Sequence, residues 1–468
     1  MSADLALLSA SDLARAIRAG RATARQAVED NLARIETWNT KLNVFVALDA
    51  AHARAAADLA DGEARRGRFH GALHGVPLAH KDMYYRAGRI ATCGSTIRRD
   101  WVAPVTATAL QRLDAAGALD LGTLNMAEFA FGPTGHNWCI GHARNAWNPQ
   151  RITGGSSSGS ATGVAARLFH AALGSDTGAS IRVPAHFCGV VGIKPTWGRV
   201  SRAGAMPLSW SLDTVGPLAR TVEDAALILG LIAGADPADP TASSEPVPDY
   251  VAGLGRGVRG MRIGIATRFF TDTDAHTARL LGDAAQVLAG LGAILVDIDP
   301  PDMDRLNLFC SMVMSAEAVS IHREWLRTRP QDYGAQVRAR LEAGLTIPAA
   351  YYLDALRARG AMLDDFHARV FGRCDALLAP VTDSAAPPID ETAFAPGPDL
   401  GAKLGRFTKF TRAINYLGLP GLSVPAGFDG EGMPVGFQLV GRAFDEATLF
   451  AAGHAYQQAT AWHTRVPG

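Results

Sequence analysis

Apolar positions recur at helical spacing through residues 8–62. Leu13, Ala16 and Ile17 share one face behind a Ser9 or Ser11 cap, and Ala27, Leu32, Ile35 and Trp38 share another behind Thr23-Ala24-Arg25-Gln26. The spacing predicts an N-terminal helical wrap over residues 1–65. The period then shortens. Val76-Pro77-Leu78-Ala79 reads as a buried strand with Lys81 at its end. Residues 106–113 read as helix, 119–121 as strand and 125–131 as a short helix. The alanine-rich stretch 160–173 reads as a slim helix, 188–196 as a strand entering a Pro-bounded turn, and 221–234 as an amphipathic helix capped by Thr221. Pro, Ser, Asp and Glu make 237–248 a linker. Residues 261–265, 275–290 and 293–298 form a β-α-β pattern, and 303–372 is mostly helical. Strands are expected again at 376–380, 421–425 and 435–440, with a Pro/Gly loop of lid length at 387–403. This alternation predicts an α/β layered protein.

Composition narrows the picture. With 48% apolar and 19% charged residues in 468, the chain is able to bury a large core. Lys+Arg and Asp+Glu balance at 45 each, which argues against nucleic acid as a main partner. The cysteines (Cys93, Cys139, Cys188, Cys310, Cys374) are scattered and odd in number, as suits a reducing cytoplasm. No basic-then-apolar leader and no apolar run of membrane-spanning length is present. The expectation is a cytoplasmic protein without a membrane partner, monomeric or homodimeric.

The candidate chemistry lies in two Gly/Ser-rich turns bracketing one helix: Thr153-Gly154-Gly155-Ser156-Ser157-Ser158-Gly159-Ser160, and Gly174-Ser175-Asp176-Thr177-Gly178-Ala179-Ser180-Ile181-Arg182-Val183-Pro184. Small residues let successive backbone N–H groups converge on a negative oxygen, and each turn supplies hydroxyls. Neither turn has the lysine of a phosphate-binding loop, and GxGxxG is absent. Gly155-Ser156-Ser157-Ser158-Gly159 fits G-x-S-x-G, but no histidine is singled out to complete a hydrolase triad. His136, Cys139 and His142 have H-x2-C-x2-H spacing without a fourth ligand, so neither a metal nor an organic cofactor is expected. Asp176 and Arg182 read as braces of the second turn, and Glu128 as half of a structural salt bridge.

The stretch resembles the amidase signature family. The likeness extends through Phe187-Cys188-Gly189-Val190-Val191-Gly192-Ile193-Lys194-Pro195-Thr196, Gly75-Val76-Pro77-Leu78-Ala79-His80-Lys81-Asp82, Ser211-Leu212-Asp213-Thr214-Val215-Gly216-Pro217 and Asn415-Tyr416-Leu417-Gly418-Leu419-Pro420-Gly421. It covers most of residues 5–240 and 370–465. The resemblance implies one domain over 1–468, a single large mixed β-sheet surrounded by helices, and a pocket drawn from the divergent segment 240–405. It also implies a Ser–cisSer–Lys triad: Lys81 as base, Ser156 as bridge and Ser180 as nucleophile. Backbone N–H groups of Thr177, Gly178, Ala179 and Ser180 would hold the oxyanion. Met126, Phe131 and Gly132 would flank the acyl group. Two departures stand out: Ala179 replaces the family's glycine before the nucleophile, and Ser158 replaces a glycine in the first turn. Ser157, Ser158 and Ser160 compete with Ser156 as the bridge.

The expected activity is hydrolysis of small amides through a serine acyl-enzyme. Three alternatives stay open: a carbamate (urethane) hydrolase using the same site, the A-type component of a glutamine-dependent aminoacyl-tRNA amidotransferase, and a non-catalytic binding protein. The expected partner is a small-molecule amide or carbamate.

Overall fold

A computed structural model describes residues 4–468. Its organising feature is one 11-stranded sheet. In chain order the strands are β1 (Phe45–Leu48), β2 (Pro77–Lys81), β3 (Leu119–Leu124), β4 (Ala171–Asp176), β5 (Val191–Lys194), β6 (Thr214–Ala219), β7 (Arg262–Ile265), β8 (Ile294–Asp297), β9 (Ala376–Pro380), β10 (Gly421–Phe428) and β11 (Pro434–Val440). Across the sheet they run β1-β3-β2-β4-β6-β5-β10-β11-β9-β7-β8. β2 is parallel to β3 and β4, and β7 to β8 and β9. The remaining pairings are antiparallel, giving the mixed α/β sheet that the family resemblance implied. β2, β4, β5, β6, β9 and β11 are buried at every position. Strands covered on both faces read as unbroken apolar runs rather than as alternation.

Helices Ala10–Arg18, Ala24–Leu42 and Ala50–Arg65 form the N-terminal wrap. The second opens on a capping box in which Thr23 and Gln26 satisfy each other's backbone N–H. Helical periodicity concealed β1. Asn43 ends the helix in the left-handed region, and Asn39 Oδ1 accepts from the N–H groups of Val44 and Phe45, turning the chain into the edge strand.

Three local expectations are corrected. The helix between the two turns is Ser158–Ala165, not 160–173, and residues 171–173 belong to β4. Arg167 takes φ +62° and donates to the carbonyls of Val164, His463 and Arg465, so the chain doubles back. Gly163 is required there, because a Cβ would stand 2.2 Å from Phe169 Cζ. Residues 125–131 form only a 3₁₀ turn, Glu128–Ala130, with Phe129 and Ala130 at φ 47° and 60°. The Phe129 ring stacks on Trp325 and meets His322 edge-on, packing that holds this uncommon backbone in place. The segment 387–403 is tied down: Ile152 N–H donates to Pro387 O, Ile389 N–H to Gln150 O, and Gln336 Nε2 to Phe394 O.

Candidate active site

The site lies where β2 and β4 end side by side. β2 delivers Lys81 at its last position, fully buried. The Lys81 amine lies 2.7 Å from Ser156 Oγ and 2.9 Å from Ser175 Oγ. Ser175 is a contact the sequence reading missed, although β4 runs parallel to β2 and so carries its side chains alongside Lys81. Burial pushes the Lys81 ammonium down to about 7, against the opposing pull of the Asp176 and Asp213 carboxylates. A large fraction is therefore free amine near neutrality, able to accept a proton.

The four serines of the first turn have separate fates. Ser156, after a cis Gly155–Ser156 peptide, meets Lys81. Ser157 Oγ accepts from the N–H of Ser175, and Ser160 Oγ donates to Leu173 O. Ser158 Oγ is buried without a partner among the described residues.

The second turn carries Ser180. Ser180 is 8% exposed, lines an open cleft, and accepts at its carbonyl from Ser157 N–H at 3.3 Å. Its Oγ makes no hydrogen bond to Ser156 or Lys81 among the described residues; such contacts often tighten only when substrate is bound. The N–H groups of Thr177, Gly178, Ala179 and Ser180 donate to no protein acceptor among the described residues, while Thr411 Oγ1 occupies Gly178 O and Val183 N–H occupies Ala179 O. Donors are thus left free on a turn whose carbonyls are engaged, the pattern of an anion nest. Ala179 is accommodated because its φ is not in the left-handed region.

Buried groups clamp this turn from behind. Asp176 receives the N–H groups of Ile181 and Arg182 and two guanidinium bonds from Arg182, both side chains being fully buried. Burial alone would raise the Asp176 pKa; Arg182 and Lys194 more than offset it and hold it below the ordinary carboxylate value. Arg182 also donates to Gln438 Oε1 at 3.0 Å and to Thr411 O at 3.1 Å. On the other side Thr177 Oγ1 donates to Asp213. Removing one member of a buried ion pair leaves the other charged and dry. Arg182→Met is therefore expected to lose about 3–5 kcal/mol of stability, read by urea unfolding.

The cleft in front of Ser180 is lined by Phe131, Gly132, Leu208, Met314, Arg340 and Arg412 as well as the turn itself. Phe131 and Gly132 border the cleft, whereas Met126 does not. Its side chain is in the core, because the left-handed turn at Phe129 and Ala130 sends only the later residues forward. Glu128 forms no salt bridge among the described residues. It accepts from Ser95 Oγ, Gly334 N–H and Cys139 Sγ, tying this turn to the divergent helical segment, and burial raises its pKa. His136, Cys139 and His142 face Thr392, Glu128 and Asn137 respectively. Arg340 and Arg412 were invisible in the sequence; Arg340 comes from the segment with least likeness to the family, and Arg412 from just beyond it.

A lysine acting as base would have to be neutral, which sets the sign of the pH response. Turnover is expected to rise with pH through about 7 as Lys81 loses its proton, and to level off above. A kcat/KM profile against pH checks the sign; a rate falling across that range would contradict it.

The family model described as Amidase matches residues 26–450. The A-type component of the glutamyl-tRNA(Gln) amidotransferase of Halorhodospira halophila is 40% identical over 481 residues, covering 97% of this chain and 98% of that protein. Peptide amidase from Stenotrophomonas maltophilia superposes with a TM-score of 0.85 at 31% identity, covering 98% of each chain. A chain from the inhibitor-bound form of a vestigial protein complex, which bears on the origins of an s-triazine catabolic enzyme, superposes with a TM-score of 0.90 at 34% identity, covering 96% of this chain and 98% of that one.

The likeness to the amidotransferase component overturns an expectation. The chain was expected to act as a monomer or homodimer on a small amide or carbamate, with no nucleic acid partner. A relative matched end to end is by name one subunit of an enzyme named for a tRNA. The inference from charge failed because it treated the chain as the whole enzyme. Zero net charge describes one component's surface and leaves open what an assembly containing it binds. Among the described residues no helix is long and apolar enough to cross a membrane.

Proposed function

The chain belongs to the amidase signature family and is an enzyme that hydrolyses C–N bonds other than peptide bonds, and from that premise we propose that it is the amide-hydrolysing component of an amidotransferase-type assembly. Its task is to release ammonia from an amide at Ser180 for use by partner proteins that engage a tRNA. The observation that carries the reading is the buried Lys81, partly free amine near neutrality and bonded to Ser156, beside a turn of unengaged N–H groups.

In the proposed mechanism Lys81 takes a proton from Ser156, Ser156 takes one from Ser180, and Ser180 Oγ attacks the carbonyl carbon. The N–H groups of Thr177, Gly178, Ala179 and Ser180 receive the oxyanion; losing one such donor typically costs about 3 kcal/mol of transition-state stabilisation. The proton returns through Ser156 to the departing nitrogen, ammonia leaves, and water cleaves the acyl-enzyme by the same relay. The five cysteines are all free, consistent with work in a reducing compartment.

End-to-end likeness to an amidotransferase component favours this over a carbamate hydrolase or a non-catalytic protein. The test is ammonia release by the chain alone and by the chain co-purified with proteins from its own cells. Stoichiometric partners and faster release in the complex are expected. Full activity with no partner retained would sink the assembly half of the proposal.

A further inference from the structure

The cleft before Ser180 holds two guanidinium groups that the hydrolytic mechanism does not use. Arg340 lies on helix Ala335–Gly344 and Arg412 opens helix Arg412–Tyr416, so they reach the cleft from separate parts of the chain. Neither forms an ion pair among the described residues. Arg340 donates one bond, to Phe131 O at 2.7 Å, and lies 3.6 Å over the Phe131 ring. Arg412 donates to Ser311 Oγ at 3.0 Å, and its Nε is buried with no acceptor among the described residues. Its stem rests on the oxyanion turn, since a Cβ at Gly178 would come within 3.3 Å of Arg412 Cγ. Of the residues lining the cleft, none is Asp or Glu.

Both guanidinium groups are half-buried, and two like charges held in one cleft without a counter-ion favour an anion that arrives to neutralise them. Burial, with a smaller push from the nearby Arg412, lowers the Arg340 pKa to about 9, which marks the same lack of a counter-charge. Guanidinium forks match a carboxylate in shape and bond it bidentately. When ammonia is the leaving group, the anion must belong to the acyl part. The cleft is narrow, enclosing only about 20 Å³ behind its open mouth, so the acyl part it takes is short.

We propose that Arg340 and Arg412 form a carboxylate clamp, and that the enzyme's amide is the monoamide of a short dicarboxylic acid, without an ammonium group. An α-ammonium would meet two cations and no carboxylate in this cleft, so a net-anionic acyl group is favoured over zwitterionic glutamine. The inference rests on Ser180 as the acylated residue, and its test separates the two.

Glutaramate, glutamine and butyramide serve as amide probes of similar length for the purified protein with any retained partners. Glutaramate is expected to exceed butyramide roughly 100-fold in kcat/KM, and to exceed glutamine. Arg412→Met, with Arg340→Met as the second variant should one misfold, is expected to erase most of that preference, by roughly 10- to 100-fold. Binding of glutarate to Ser180→Ala, read by calorimetry, needs no turnover; either arginine variant in that background should abolish it. Equal turnover of glutaramate and butyramide, preference for glutamine, or glutarate binding that ignores both arginines would each overturn the clamp. If glutarate binds through the arginines while no amide is cleaved, the clamp stands and the proposed hydrolysis falls.

Discussion

Ser180→Ala is expected to lower ammonia release by roughly 10⁴-fold or more, since removing a nucleophile from residues that act as a unit removes nearly all their contribution. The residue is small and borders the cleft, so the change leaves no cavity of consequence and the fold should survive. The free N–H groups of the turn remain and would still polarise a bound carbonyl, which accounts for a residual rate above that in water. Stopped-flow ammonia assays at saturating amide, with circular dichroism as the folding control, give the answer. Activity within tenfold of the parent would mean that the attacking group is elsewhere.

The second large effect is at Lys81. Lys81→Met keeps most of the stem volume in a fully buried site but removes the proton acceptor, and a positioned general base contributes roughly 10²–10⁴-fold. Ser156 and Ser175 would each lose a partner, 2.7 and 2.9 Å away in the parent. The rise of activity through about pH 7 should vanish along with the rate, because the group that titrates there has gone. An unchanged rise in the variant would show that another group sets the profile.

What the sequence disclosed follows from the range of the forces involved. Both Gly/Ser turns were legible because their geometry is local: small residues, hydroxyls and a braced Asp–Arg pair lie within one short stretch. Strands β2, β9, β10 and β11 were found because buried apolar runs bounded by Pro or Gly are local signals as well. The eight-residue helix Ser158–Ala165 was overextended because alanines continue past its end. What stops it is Arg167 reaching the carbonyls of His463 and Arg465, close to the far end of the chain. β1 was missed because an edge strand between two helices borrows their periodicity and is fixed by Asn39.

The cleft was the least legible part. Arg340 and Arg412 look like ordinary surface cations in one dimension, and only the packing of the divergent helices against the segment after Phe407 turns both toward Ser180. Glu128 escaped for the same reason, since its partners Ser95, Cys139 and Gly334 come from three separate segments. The partner expectation failed differently. No single-chain charge count carries information about the other members of an assembly, and only likeness to a named amidotransferase component exposed the error.

The central claim is that a buried neutral lysine arms the hydroxyl at position 180. Rapid quenching during turnover, followed by peptide mass mapping of the acyl-enzyme, tests it most directly. The account requires the acyl mass on the peptide bearing Ser180, forming faster as pH rises through about 7 and absent from Lys81→Met at the same times. An adduct on another residue, or steady turnover with no covalent species at any pH, would contradict it.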